Sequence, residues 1–113
     1  MNRALLRMLP AGFLLAAAIA LFSLPVRVQA DGAAVFKAKC APCHGADGSG
    51  ETTMGKKLNL RDLRSADVQK QSDAALTTII TDGKEKMPAY KDKVSAADIK
   101  DLVATIRDLA KKK

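Results

Sequence analysis

The segment that most constrains this chain lies at residues 40–44 and reads Cys-Ala-Pro-Cys-His. Two cysteines separated by two residues and followed directly by a histidine form the attachment signature of c-type haem. The spacing has a physical reason, because Cys40 and Cys43 can form thioethers with the two vinyl groups of one porphyrin. The adjacent His44 can then reach the iron. The motif therefore predicts one covalently bound haem c.

Three other interpretations of the segment stay open. A disulfide between Cys40 and Cys43 suits an oxidising compartment, but it closes a very small loop and leaves His44 without a role. A thioredoxin-like redox pair needs a preceding strand and a βαβ pattern, and neither is evident. A structural zinc site needs four ligands, whereas the chain offers two cysteines and one histidine.

The composition of the chain after residue 30 points to a cofactor in the interior. Residues 31–113 hold 33 hydrophobic residues, of which 13 are alanine, and their only aromatic residues are Phe36 and Tyr90. A single domain of this size has a marginal core even with ordinary side chains. We therefore expect a porphyrin to fill part of the interior.

Residues 1–30 have the three parts of a secretory signal peptide. Arg3 and Arg7 precede an apolar run over residues 9–24, and small residues lead to a cleavage point after Ala30. An uncleaved membrane anchor is the alternative, although the run is shorter than the roughly 20 residues of a membrane span. We predict a cleaved leader over 1–30, a single domain over 31–113, and a periplasmic location.

The charge balance of the predicted mature chain does not indicate nucleic-acid binding. Residues 31–113 carry 16 Lys/Arg and 12 Asp/Glu. A nucleic-acid interface would need a clustered basic face with a supporting motif or aromatic residues. The export signal and the two aromatic residues argue against one.

The mature chain reads as helices joined by loops. No segment alternates long enough to predict a strand. The predicted elements are a helix over 32–39 capped by Asp31, a glycine-rich loop over 45–55, a short helix over 62–71, and a helix over 74–81 that is capped by Asp73 and stops at Gly83.

The last element gives the strongest helix signal. Ser95 and Asp98 form a capping-box pattern. Apolar residues then recur at helical spacing towards the C-terminus: Ile99, Leu102, Val103, Ile106, Leu109 and Ala110.

A second axial ligand for the iron must come from elsewhere, because the chain has no second histidine. Met87 lies 43 residues after His44, which leaves enough chain to pass around a haem. Pro88 favours an extended conformation at Met87, which suits a thioether held in one direction. Met54 lies only ten residues after His44 and is the weaker candidate, and Met87 could also be a flexible core residue.

The chain resembles the small monohaem class I cytochromes c over nearly all of residues 32–110. The resemblance rests on residues spread along the chain: Gly32, Phe36, Cys40, Cys43, His44, Gly45, Asp47, Gly48, Gly50, Ile80, Gly83, Met87, Pro88, Ile106, Arg107, Asp108 and Leu109. It implies an all-α class I cytochrome c fold, with about three to five short helices around one covalently bound haem. Its first and last helices would cross. Thr105 departs from the aromatic residue that many members carry there, so a looser crossing is expected.

His/Met ligation predicts an electron carrier and not an enzyme. A thioether stabilises Fe(II), and two filled axial positions leave no open site for a substrate. We predict a monomeric periplasmic shuttle with redox partner proteins, and an association with membrane-bound redox complexes stays open. A haem relay subunit of a larger enzyme complex and, less favoured, a haem sensor or peroxidase with a displaceable Met87 stay open.

Two further sets of residues are candidates for the site. The lysines around Met87 would form a docking face for an acidic partner, or would be ordinary solvated loop charges: Lys84, Lys86, Lys91 and Lys93. The apolar haem pocket, or else ordinary helix packing, would use Leu58, Leu60, Leu63, Ile79 and Ile80.

Overall fold

The computed structural model describes residues 31–113, and these residues form helices. The predicted leader and its cleavage point lie outside the described residues. We number the α-helices in chain order: α1 (Gly32–Val35), α2 (Ala41–His44), α3 (Thr53–Leu58), α4 (Ala66–Gln69), α5 (Asp73–Asp82) and α6 (Ala96–Lys111). Within residues 31–113 the only β pairing is an isolated bridge between Lys84 and Met87. The all-α prediction is confirmed.

The first helical segment is longer than predicted. It begins at the Asp31 cap, whose side chain accepts a hydrogen bond from the amide of Ala34. A π-helical turn, Phe36–Cys40, then joins α1 to α2, where Pro42 lies in the first turn. Proline is tolerated there because its missing N–H would have no helical partner. The segment therefore carries the helix through the cysteine motif to His44.

The glycine-rich segment is only partly a loop, which corrects the prediction for residues 45–55. Thr52 caps a helix through a 2.8 Å bond from the amide of Gly55 to its hydroxyl, so α3 begins at Thr53. The preceding loop returns on itself, since the amide of Gly50 donates to the carbonyl of His44 at 2.7 Å. A threonine N-cap placed among glycines is a weak sequence signal, so the sequence does not predict this helix start.

Two later helices differ from the predictions at their ends. The predicted helix over 62–71 is only the single turn α4, because Ser65 caps it at the amide of Val68. Helix α5 is capped by Ser72 and not by Asp73, which is its first residue. The predicted stop at Gly83 is confirmed, and its φ of 77° is one that glycine adopts easily.

The last helix packs across the first and completes the core. Its capping box is present, with Ser95 and Asp98 each accepting a bond from the other's amide. At the crossing, a Cβ on Gly32 would lie 2.6 Å from the hydroxyl oxygen of Thr105 and would clash with the carbonyl of Asp101. The small residues bring the backbones together, so the crossing is close and not loose at Thr105.

The buried core combines residues of the π-helical turn and of α4, α5 and α6. Its members are Phe36, Val68, Leu76, Ile80, Ile99, Leu102, Val103 and Ile106. Among the described residues, no helix has the length and apolarity to cross a membrane.

Candidate cofactor site

A cavity of about 360 Å³ lies between the cysteine motif and the segment around Met87. Cys40, His44 and Met87 all line it, although Met87 lies 43 residues after His44 in the sequence. The five residues proposed for an apolar pocket line it as well, and so do five further members of the buried core: Phe36, Val68, Leu76, Leu102 and Ile106. The cavity is therefore continuous with the hydrophobic core.

His44 is held by the loop that follows it. The amide of Gly45 donates to the carbonyl of Ala41 at 2.8 Å and ends α2, while the carbonyl of His44 accepts from Gly50. The imidazole Nδ1 is buried and makes no hydrogen bond within residues 31–113. Burial lowers the pKa of His44 below its usual value, so the ring is favoured in its neutral form, which is the form that ligates metals.

Met87 sits at the end of a tight turn. The amide of Met87 donates to the carbonyl of Lys84 at 2.9 Å, and the amide of Lys84 donates back at 3.1 Å. Glu85 in this turn has a φ of 55°, a conformation that costs a non-glycine residue some energy. The turn fixes the backbone from which the Met87 side chain reaches the cavity.

Tyr90 connects the Met87 segment to the cysteine motif. Its hydroxyl donates to the carbonyl of Lys39 at 3.2 Å, and the ammonium of Lys93 lies 5.1 Å from the centre of its ring. Burial is the main cause that raises the pKa of Tyr90, with Cys40 and Cys43 adding to it. The phenol is thus a neutral hydrogen-bond donor at ordinary pH.

Not every candidate residue reaches the cavity. Cys43 is half-buried but does not line it, whereas Met54 is 44% exposed and lies away from it. Of the four proposed docking lysines, Lys84 and Lys86 line the cavity and the other two do not. Of the two methionines that the sequence offers as candidate ligands, Met87 lines the cavity and Met54 does not.

Both cysteines are free thiols, so the disulfide alternative has no support in the structure. Burial, with a smaller contribution from Cys43, raises the pKa of Cys40 to about 11. Within residues 31–113, no three side chains from histidine, cysteine, aspartate and glutamate gather into a metal-binding cluster. Thus the zinc alternative finds no ligand set in this part of the chain.

Sequence reasoning missed a set of polar residues on the cavity wall. These are Asn59, Arg61, Gln71 and Glu85. Asn59 has a left-handed backbone (φ 55°) and ends α3, and an asparagine after a helix is a recognisable sequence signal for that role. Nothing in the sequence indicates that Arg61 or Gln71 would meet the same cavity.

The residues present fit a covalently bound haem. The cavity combines an apolar wall, a thiol at Cys40, a buried imidazole nitrogen without a partner, and a thioether at Met87. A buried polar atom without a hydrogen bond is costly, so the imidazole is suited to a ligand that occupies the cavity. Imidazole and thioether together are an established donor pair for haem iron.

Comparison with known proteins supports this assignment. The sequence family described as cytochrome c oxidase, cbb3-type, subunit III, matches residues 27–105. A cytochrome c6-like protein of Nostoc sp. is 35% identical over 82 residues, which is 73% of this chain and 71% of the relative. Cytochrome c6 of Synechocystis sp. is 36% identical over 83 residues, or 74% and 67% of the two chains.

A solved structure has the same fold. The KustC0563 c-type cytochrome superimposes with a TM-score of 0.65 and is 32% identical in sequence. The match covers 70% of this chain and 96% of that protein.

Proposed function

Because the chain belongs to the c-type cytochrome family, we propose that it is a periplasmic shuttle for single electrons, with His44 and Met87 as the axial ligands of its haem iron. The observation that carries the proposal is the single cavity in which Cys40, His44 and Met87 meet. The leader predicted over residues 1–30 supports export to the periplasm.

Family membership itself establishes the coarser points. The predicted class I cytochrome c fold is confirmed, and so is the predicted cofactor, covalently bound haem c. The chain is an electron carrier and not an enzyme, as the sequence predicted. When bound, the haem supplies the iron that takes up and releases one electron.

The protein's own residues have distinct tasks in this proposal. Cys40 and Cys43 would hold the haem as thioethers, and His44, one residue after Cys43, would bind its iron. Met87 would supply the second ligand to the iron, and the Lys84–Met87 turn holds the backbone from which it reaches the cavity. Its thioether favours Fe(II) and so raises the reduction potential relative to a second histidine.

The ligand assignment is tested by spectroscopy of exported protein. The oxidised wild-type protein should show the weak near-infrared sulfur-to-iron band, and Met87→Ala should abolish it and lower the reduction potential. Met54→Ala is the matched control, since that side chain is exposed and away from the cavity, and it should keep the band. A band that survives in Met87→Ala would remove Met87 as the ligand.

The lysines around Met87 support a docking face for an acidic partner. Lys84, Lys86, Lys91 and Lys93 are all exposed, and the first two lie on the cavity wall, beside the proposed haem. Positive charge at the point where electrons leave would steer an anionic partner towards it.

Charge reversal tests this face with ferricyanide as an anionic oxidant. Oxidation of the reduced wild-type protein should slow as salt is added, and Lys84→Glu with Lys86→Glu should slow it about tenfold or more at low ionic strength. Lys111→Glu with Lys112→Glu removes equal charge at the end of α6 and should change the rate less. If both double variants have the same oxidation rate and the same dependence of that rate on salt, Lys84 and Lys86 do not form a docking face.

A relay subunit of a larger redox complex is the second candidate. The observation that favours it is the matching family, whose description is that of an oxidase subunit. Gel filtration of a native extract at physiological salt separates the candidates. Haem absorbance at the mass of the single chain supports the shuttle, and absorbance at the mass of a complex supports the relay subunit.

A further inference from the structure

Three arginines occur among the described residues, and two of them are fully engaged. Arg64 pairs with Asp62 at 2.9 Å and lies 3.8 Å from Asp47. Arg107 pairs with Asp73 and donates to backbone carbonyls. Arg61 differs, because its guanidinium makes no hydrogen bond or ion pair within residues 31–113.

Arg61 lies at the mouth of the cavity. It lines the cavity wall and is also exposed to solvent, so it marks the point where the apolar interior meets water. Asn59 and Gln71 line the same cavity, and in the described part of the chain their side-chain amides make no hydrogen bond either. The cavity wall therefore carries a group of side-chain donors that have no hydrogen-bond partner among the described residues.

The backbone at Arg61 is fixed relative to His44. The amide of Leu60 donates to Gly55 at 2.9 Å, and that of Leu63 donates to Gly48 at 2.8 Å. Gly55 belongs to α3, and Gly48 belongs to the loop in which Gly50 donates to the carbonyl of His44. Two hydrogen-bonded segments thus hold Arg61 and the proposed iron ligand in one rigid unit.

We propose that Arg61 is a positioning residue that pairs with a propionate carboxylate of the haem, with Asn59 and Gln71 as neighbouring donors. This inference rests on the proposed haem site. Haem is apolar except for its iron and two carboxylates, so its carboxylates belong at a polar, wet edge of a cavity. An arginine offers them a planar pair of N–H donors and a permanent charge.

The lysines on the cavity wall are less suited to this task. Lys84 and Lys86 flank Glu85 in the turn that carries Met87, and all three line the cavity. A lysine is a strongly hydrated point charge without the fork geometry of arginine. Arg61 has no acidic partner among the described residues.

The test compares Arg61→Gln with Lys57→Gln in the haem-loaded protein. Lys57 lies in α3 nearby, is exposed and does not line the cavity, so its variant removes the same charge from the same region. Two quantities are measured at fixed pH and ionic strength: the midpoint potential, and the resonance Raman bending band of the propionates, which responds to hydrogen bonding.

We expect Arg61→Gln to shift the propionate band and to lower the midpoint potential at least about twice as much as Lys57→Gln, since an exposed charge acts through screening water. Arg61→Lys should keep most of the potential and still shift the band, because it keeps the charge and loses the fork. If Arg61→Gln cannot be loaded with haem, the propionate band and the potential of Arg61→Lys test the pairing instead.

An unshifted propionate band in the Arg61 variants, with a potential change equal to that of Lys57→Gln, would overturn the inference. The wild-type spectra test the proposed site separately. Absence of covalent haem in the wild-type protein would refute the site itself, whereas a normal wild-type spectrum with silent Arg61 variants would refute only the role of Arg61.

Discussion

Gly55 occupies a point where no side chain fits. A Cβ there would collide with the carbonyl of Gly50 and would lie 2.8 Å from the carbonyl of Cys43. Its amide is also the group that Thr52 caps, and the hydroxyl of Thr52 donates in turn to Cys43 at 2.6 Å. The absence of a side chain therefore lets α3 pack directly on the helix that carries the haem motif.

We predict that Gly55→Ala destabilises the protein although alanine is the better helix former. Helix propensity would gain about 1 kcal/mol, whereas forcing a methyl group against fixed backbone costs about 1–3 kcal/mol or more. The thermal midpoint of the haem-loaded protein should fall by about 5 °C or more. Lys57→Ala, on the same helix but exposed, should leave it nearly unchanged. A raised midpoint in Gly55→Ala would contradict the close packing.

Candidate residues that carry their chemistry in the local sequence could be proposed without the structure. The spacing of residues 40–44 and the proline after Met87 single out these residues without any knowledge of the fold. In the structure, Cys40, His44 and Met87 line the same cavity. Arg61 could not be found in this way, because its importance depends on which partners other arginines take. That competition is settled by tertiary contacts, such as the pairing of Arg64 with Asp62.

Helix types were easier to predict than helix ends. The prediction of the last helix is correct, because its capping box and its apolar face both indicate a helix that starts after Ser95. Predictions failed where two capping residues stand side by side, since Ser72 caps α5 and the adjacent Asp73 does not. The helical path through the cysteine motif was also missed, because it depends on a π-helical turn, Phe36–Cys40, for which no sequence pattern was recognised.

At the scale of elements, Arg107 joins the last helix to the junction between α4 and α5. Its guanidinium donates to the carbonyl of Gln69 at 2.9 Å and to that of Gln71 at 2.6 Å, and it pairs with Asp73 at 2.9 Å. The side chain is only 26% exposed. These hydrogen bonds give partners to two backbone carbonyls at the junction between α4 and α5.

We predict that Arg107→Gln lowers the free energy of unfolding by about 2 kcal/mol, because it leaves half-buried carbonyls without a charged donor. Chemical denaturation of the haem-loaded protein followed by circular dichroism measures the change. The control is Lys111→Gln on the same helix. Its pair with Asp108 is exposed on both sides, so the loss there should stay below about 0.5 kcal/mol. Equal losses in the two variants would show that the junction does not depend on Arg107.

At the scale of the whole molecule, the cofactor completes an interior that the chain cannot fill alone. Residues 31–113 bury eight large hydrophobic side chains. Six of these also line a cavity of about 360 Å³, so much of the core borders the proposed haem site. The shortage of large side chains in the sequence is thus matched by a cavity of defined shape.

The last prediction concerns folding without the cofactor. Cys40→Ala with Cys43→Ala removes both thioether bonds, and the exported chain should then be largely unfolded, because so small a core gives little stability by itself. Circular dichroism should show most of the helical signal lost and no cooperative thermal transition. Cys43→Ala alone is the graded control, since it keeps the thiol that lines the cavity and should retain one thioether and a lower but cooperative melting transition. A double variant that melts cooperatively with native helix content would mean that the eight buried side chains suffice, and that the haem is added to a finished fold.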